Sequence, residues 1–352
     1  MSWSTPIEDG PLFGGLYLHG LCRRWQVRRD EEAAGKARRI AAGLMKLSEL
    51  GATEGFIGRG VAADGSGHYP ASSEDQMFPW VYGLCRYLGT ELPSADERKR
   101  VVTKIVATVE AVEKNRWRVP CDPAGFGERG DLTRATVHDA VRLLFLLRTM
   151  HALTGEDRWL REFRARLEER VGKGNRTRLE VIEDGLDLGP SDKKDTFIWT
   201  NAMSQAALRV LVDEVEDDGV RAKLRRGLVA GARSAAPHLV RAHRWDNAST
   251  LRFDVDWRFL KASWKPQQSC AEAIALAREQ LSLWAAHNPR SPYEDDTVRE
   301  PLFAAWIVLL SGDAGLRAEY GPEIEAMLQR YDWSHLYTAT FFVAVNVFYE
   351  GL

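Results

Sequence analysis

The sequence predicts an all-α protein built of antiparallel helical hairpins, and three observations carry that prediction. Apolar residues recur at three- and four-residue steps over most of the chain. Short turns of glycine and acidic residues repeat between these stretches, as in Leu153-Thr154-Gly155-Glu156-Asp157-Arg158-Trp159-Leu160. Longer loops, rich in aromatic and charged residues, lie between the hairpins at about 51–74, 115–131, 172–196 and 237–266.

The helices follow in order. The first is expected over about 11–25. Over 31–50, Ala33, Ala37, Ile40, Ala41, Leu44 and Met45 form one stripe, and Gly51 is the stop. A helix over about 75–89 follows the first long loop. The next opens at Ser94-Ala95-Asp96-Glu97, a capping-box pattern, and carries Val101, Val102, Ile105, Val106, Val109 and Val112 to about 114. Residues 132–153 are apolar on more than one face, which predicts a buried helix. Further helices are expected at about 156–170, 197–216, 219–236, 267–287, 298–311, 320–330 and 337–349, roughly a dozen in all. Turn spacing is uneven, so this is not a strict solenoid. The 352 residues are 45% hydrophobic, enough for a sizeable core, and no Pro/Ser linker divides them. A single domain over 1–352 is therefore expected.

Composition excludes several classes. The net charge of −2 gives no electrostatic basis for nucleic acid as a partner. Cys22, Cys85, Cys121 and Cys270 stand far apart with no Cys-x-x-Cys pair, which argues against a zinc ribbon or redox motif and for a reducing compartment. The N-terminal residues lack a secretory pattern, and no apolar run approaches the ~18–20 residues of a membrane span. A cytoplasmic protein without membrane contact is expected. Eight dispersed histidines, with no His-Glu-x-x-His, call for no metal. His238, His243 and Asp246 lie close in sequence without a zinc spacing. No Walker or dinucleotide fingerprint and no Gly-x-Ser-x-Gly elbow is present, so no cofactor is expected.

The stretch from Gly55 to Tyr87 is the most informative. It is a glycine-rich loop carrying Arg59, Asp64, His68, Tyr69 and Asp75 that runs into an apolar helix. Roughly twelve helices in hairpins, with short turns at one end and long aromatic loops at the other, resemble the six-hairpin (α/α)6 toroid of glycosidases and polysaccharide lyases. The passage His68-Tyr69-Pro70-Ala71-Ser72-Ser73-Glu74-Asp75-Gln76 is similar to loop motifs of that class, and the Leu-Thr-Gly-Glu-Asp-Arg-Trp-Leu turn to its inter-helix turns. The architectural likeness covers most of the chain and the motif likeness about a tenth. Unsaturated glucuronyl hydrolases are the nearest comparison in size. The resemblance implies carbohydrate chemistry by two aspartates in a central cavity.

Asp75, at the loop-to-helix junction, is the first candidate acid. The competing reading makes Ser73 and Gln76 a reciprocal cap and leaves Asp75 to favour the helix dipole. Asp139 is the second: it aligns with Leu143, Leu146 and Met150, and an ion pair with Arg142 is its alternative. Two carboxylates on separate helices are what glycoside cleavage commonly needs. Arg59 could hold a uronate carboxylate while His68 and Tyr69 orient sugar hydroxyls, or serve as base and acid in a lyase, with Gln76 at the end of the same stretch. A loop pinned by its own hydrogen bonds is the alternative. Trp245, Trp257 and Trp264 lie among charges and amides in the fourth long loop, and Trp199 begins another helix; indole faces stack on pyranose rings. For each tryptophan, core packing is the alternative.

The expected function is hydrolysis of an oligosaccharide, with uronate-containing glycans as one substrate class. A polysaccharide lyase or a non-catalytic glycan-binding protein are the alternatives on the same scaffold. Tyr293-Glu294-Asp295-Asp296-Thr297 invites a further comparison, with the Asp-x-Asp-Asp-Thr acid motif of class II terpene cyclases, except that Tyr293 replaces the first aspartate. Helix capping by Asp295 or Asp296 is its alternative. The oligomeric state is left open.

Overall fold

The structure is a computed structural model that describes residues 9–172, 174–186, 188, 197–253, 256–337 and 342–351, without the side chains of Trp257, Lys261 and Ser263. The chain is predominantly helical, as expected. In order, the elements are α1 (Gly10–Arg28), α2 (Glu31–Leu47), α3 (Glu74–Leu88), α4 (Ala95–Lys114), β1 (Arg118–Pro120), β2 (Glu128–Asp131), α5 (Val137–Thr154) and α6 (Asp157–Glu168). There follow β3 (Arg170–Val171), β4 (Arg176–Thr177), α7 (Arg178–Glu183), α8 (Ile198–Glu214), α9 (Asp218–Ala235), α10 (Cys270–His287), α11 (Arg290–Glu294), α12 (Glu300–Leu310), α13 (Ala314–Arg330) and α14 (Val343–Gly351). Two-stranded antiparallel ribbons stand where the sequence predicts none: β1–β2 lies in the loop 115–131, and β3–β4 spans the end of the helix expected at 156–170 and the loop that follows. They are too short to show a period-two pattern.

The chain divides into two compact units. The first comprises Met1–Asp131 with Thr250–Tyr293, the second Leu132–Ser249 with Glu294–Leu352.

In the first unit, α1 and α3 pack so closely that only glycine fits at their contact. A Cβ on Gly15 would meet the Pro79 carbonyl at 2.1 Å, and one on Gly83 would meet the Gly15 Cα at 2.6 Å. Both helices bury side chains on all faces, whereas α2 buries one stripe led by Ala33, Ala37, Ala41 and Leu44. Asp30 caps α2 by accepting from the Glu32 and Ala33 amides. Ser94 caps α4, but Glu97 does not complete the predicted box: its carboxylate accepts from the Tyr87 hydroxyl at 3.1 Å.

The second unit repeats the alternation. α5, α8 and α12 are buried nearly all round, while α6 and α9 bury single stripes. Gly155 ends α5 in the left-handed conformation that its turn requires. α5 begins at Val137 rather than 132, because Thr136 supplies the cap. α13 begins at Ala314 rather than near 320, capped by Asp313 and carried through Pro322. A complete capping box, absent from the sequence reading, stands at Thr177 and Glu180. The predicted helix start at Asp295 and Asp296 is corrected. Helical structure already runs from Arg290, and Asp295–Arg299 is a π-helical segment in which the Glu300 amide donates to the Asp295 carbonyl.

Candidate functional site

The Gly55–Gln76 loop belongs to the first unit, and Arg59 holds it. The guanidinium is buried and donates to the Ala71 carbonyl at 2.8 Å, Asp9 Oδ1 at 2.7 Å and Ser73 Oγ at 2.9 Å. Gln76 Nε2 donates to the same Asp9 oxygen at 2.8 Å. Ser73 and Gln76 therefore do not form the reciprocal cap; Ser73 makes no side-chain cap to α3. Tyr69 is buried, and its hydroxyl donates to the Ala273 carbonyl of α10 at 2.7 Å. Asp75 is half-buried in the first turn of α3, beside Glu74.

His68 and Asp122 make the second knot of this loop. Nε2 of His68 faces Asp122 Oδ2 at 3.0 Å and Nδ1 faces the Ser66 carbonyl at 3.0 Å. Asp122 Oδ1 accepts from the Ala52 and Thr53 amides and the Thr53 hydroxyl, each at 2.9 Å. Burial alone would raise the Asp122 carboxyl; these donors outweigh it and hold the group below its ordinary value. Asp122 is absent from the sequence reading because its partners lie about 50–70 residues away in sequence, and no local pattern announces them.

Asp139, Trp199 and Trp245 belong to the second unit. Asp139 has no solvent exposure. Its Oδ2 accepts from the Thr136 hydroxyl at 2.6 Å and pairs with Arg134 at 3.3 Å and His138 at 3.4 Å. Arg142 donates to Ser204 Oγ and to the Thr200 carbonyl of α8. Trp245 is buried edge-on against Tyr331, which also packs edge-on against Trp333. In the first unit Trp264 is half-buried, and the Trp257 side chain lies outside the described residues.

The most chemically distinctive group in the second unit contains Asp295, for which helix capping stood as the alternative to an acid motif. Arg299 bridges two carboxyls, Asp295 Oδ1 at 2.9 Å and Glu300 Oε1 at 3.2 Å, and its guanidinium carbon lies 5.3 Å from the Trp199 ring. Phe197, exposed, tilts against Trp199. Burial pushes both the Asp295 and Glu300 carboxyls above their ordinary values, with Arg299 pulling the other way. Asp296 pairs with Arg241 and Arg244. A π-helical turn frequently marks a functional position, because it re-aims side chains that an α-helix would place elsewhere. The sequence signal was the Asp-Asp-Thr motif itself.

α8 packs between α5 and α12. Its first turns therefore have Arg142 of α5 on one flank and Arg299, at the start of α12, on the other. His238 Nε2 donates to the Leu188 carbonyl at 2.8 Å, and His243 pairs with Glu323. Among the described residues no cluster of histidine, cysteine or carboxylate side chains could hold a metal ion, and no helix is long and apolar enough to cross a membrane.

No family model, curated protein or solved structure matches the chain.

Proposed function

We propose that the chain is a carbohydrate-active enzyme, a glycoside hydrolase that works by carboxylate acid/base catalysis on oligosaccharides, uronate-containing ones included. The observation that carries this reading is the Asp295–Arg299–Glu300 group beside Trp199. A general acid must hold its proton near working pH, and burial favours that form of both carboxyls. An aromatic pair at the same helix start, Phe197 and Trp199, offers the apolar surface that pyranose faces need. Asp139, on the other flank of α8, is the proposed second carboxylate from a separate helix.

The proposed architecture is the (α/α)6 toroid. It is supported by the all-α content and by the short-turn pairs α1/α2, α3/α4, α5/α6, α8/α9 and α12/α13.

The test is a panel of neutral and uronate-containing oligosaccharides, followed both for new reducing ends and for near-ultraviolet absorbance. Reducing ends without absorbance support hydrolysis. Absorbance identifies a lyase, and saturable binding without product identifies a glycan-binding protein. A second reading rests on the same raised Asp295 within Tyr293-Glu294-Asp295-Asp296-Thr297: protonation of a polyprenyl alkene, as in class II terpene cyclases. Conversion of polyprenyl substrates with no action on glycans would select it.

A further inference from the structure

Two of the four cysteines, remote in sequence, meet in the first unit. Cys121 follows β1, and Cys270 is the first residue of α10. Both are buried in one apolar cluster with Tyr69, Ala71, Phe126 and Ala273. The backbone holds them together twice: the Cys270 amide donates to the Phe126 carbonyl at 2.8 Å, and the Cys121 amide donates to the Gly127 carbonyl at 3.0 Å. Gly127 makes the approach possible, since a Cβ there would stand 3.2 Å from the Cys270 Cβ and its φ is +119°. The two thiol-bearing side chains thus share one packed cluster, and both cysteines are free.

Two further features point to chemistry rather than packing alone. Arg129, from β2, has a buried Nη1 with no hydrogen-bond partner and bears electrostatically on both sulfurs. A cavity of about 570 Å³, lined by Cys121, Gly127, Glu128, Thr53 and Lys114, reaches Cys121 from outside.

We propose that Cys121 and Cys270 form a dithiol site that hydrogen peroxide converts to an intramolecular disulfide. The neighbouring Cys121 thiol, with Arg129 and Arg59, pulls the Cys270 thiol down to about 7, while Cys121 is pushed up by its thiolate neighbour and by burial. Cys270 is thus the nucleophile. Its thiolate attacks one peroxide oxygen, the O–O bond breaks, and hydroxide leaves; Cys270 becomes a sulfenic acid. The Cys121 sulfur then attacks Cys270 Sγ, forming the S–S bond. The sulfenic hydroxyl leaves and takes the Cys121 proton as water. Two sulfurs are oxidised by two electrons in all, and one peroxide is reduced to two waters. Cys22 cannot compete, since burial raises it to about 12.

The test treats the full chain with a small excess of hydrogen peroxide and maps the peptides without reduction. The expected product is a Cys121–Cys270 linked peptide that has lost two hydrogens, with Cys22 and Cys85 still reduced and a higher unfolding temperature that dithiothreitol reverses. In Cys121→Ser the second step is blocked, so Cys270 accumulates as sulfenic acid that a 1,3-diketone captures faster than it captures Cys85. The proposal is overturned if wild-type Cys121 and Cys270 stay reduced while Cys85 oxidises, or if cross-links join either of them to Cys22 or Cys85. It is also overturned if Cys270 in Cys121→Ser is labelled no faster than Cys85.

Discussion

Replacing Arg59 with alanine should loosen the N-terminal end of the first unit far more than an exposed arginine would. The side chain is 3% exposed and donates to Ala71 O, Asp9 Oδ1 and Ser73 Oγ. Hydrogen bonds involving a charged group contribute about 1.5–3 kcal/mol each, and breaking a buried ion pair costs about 3–5 kcal/mol. The terms overlap, because Asp9 keeps the Gln76 donor and is about a quarter exposed. The net loss is therefore about 3 kcal/mol, near the lower end of the range for breaking a buried ion pair. Lysine keeps the charge but not the planar fork, so Arg59→Lys should lose about half as much. The assay is amide hydrogen exchange over residues 10–15 and 56–80, where the Gly10 amide donates to the Arg59 carbonyl at 2.8 Å. Three kcal/mol corresponds to exchange roughly 100-fold faster in that segment, with lysine in between. Exchange within about threefold of wild type in both variants would refute the anchoring role.

Other outcomes follow from single contacts. Gly15→Ala, which drives a methyl to 2.1 Å from the Pro79 carbonyl, should destabilise by about 1–3 kcal/mol or more in urea denaturation; a neutral result would mean that α1 and α3 do not cross as described. Asp122→Ala strips an acceptor from three donors and should cost about 1–3 kcal/mol above pH 5. Because Asp122 lies below its ordinary value, its contribution is present above 3.8 and disappears as pH falls further, so wild type and variant should converge in acid. For Asp295 and Glu300 the sign reverses. Their raised carboxyls keep protons that the unfolded chain has released, so stability falls as pH rises from about 4 through the raised values. Asp295→Asn combined with Glu300→Gln should flatten that slope; an unchanged pH–stability curve would remove the basis for their assignment.

Local order in the sequence made most of the helical framework legible. The stripe from Ala33 to Met45 and the apolar run around Leu143 led directly to α2 and α5. The α3 junction was likewise visible, because Ser73, Glu74 and Asp75 lie together where loop meets helix. What stayed hidden depended on residues distant in sequence. Ser94 and Glu97 have capping-box spacing, yet the Tyr87 hydroxyl claims Glu97. Arg59 had the chemistry of a ligand clamp, yet its donors meet Asp9, Ala71 and Ser73. The thiol pair joins residues that no spacing rule connects, and Asp122 draws its partners from two separate segments, one with Ala52 and Thr53 and the other with His68. Asp295 was visible as part of a motif, but its π-helical setting and its bridge to Glu300 through Arg299 depend on the burial of α12.

The central claim is that the half-buried Asp295 carboxyl, raised above its ordinary value, is the acid of glycoside cleavage. The most direct measurement is the pH profile of kcat for reducing-end release by wild type and by Asp295→Asn on an oligosaccharide that wild type cleaves. The account predicts wild-type turnover that declines as pH rises through the raised carboxyl, and a loss of at least about 100-fold in the variant. Full turnover by Asp295→Asn with the same profile would contradict it.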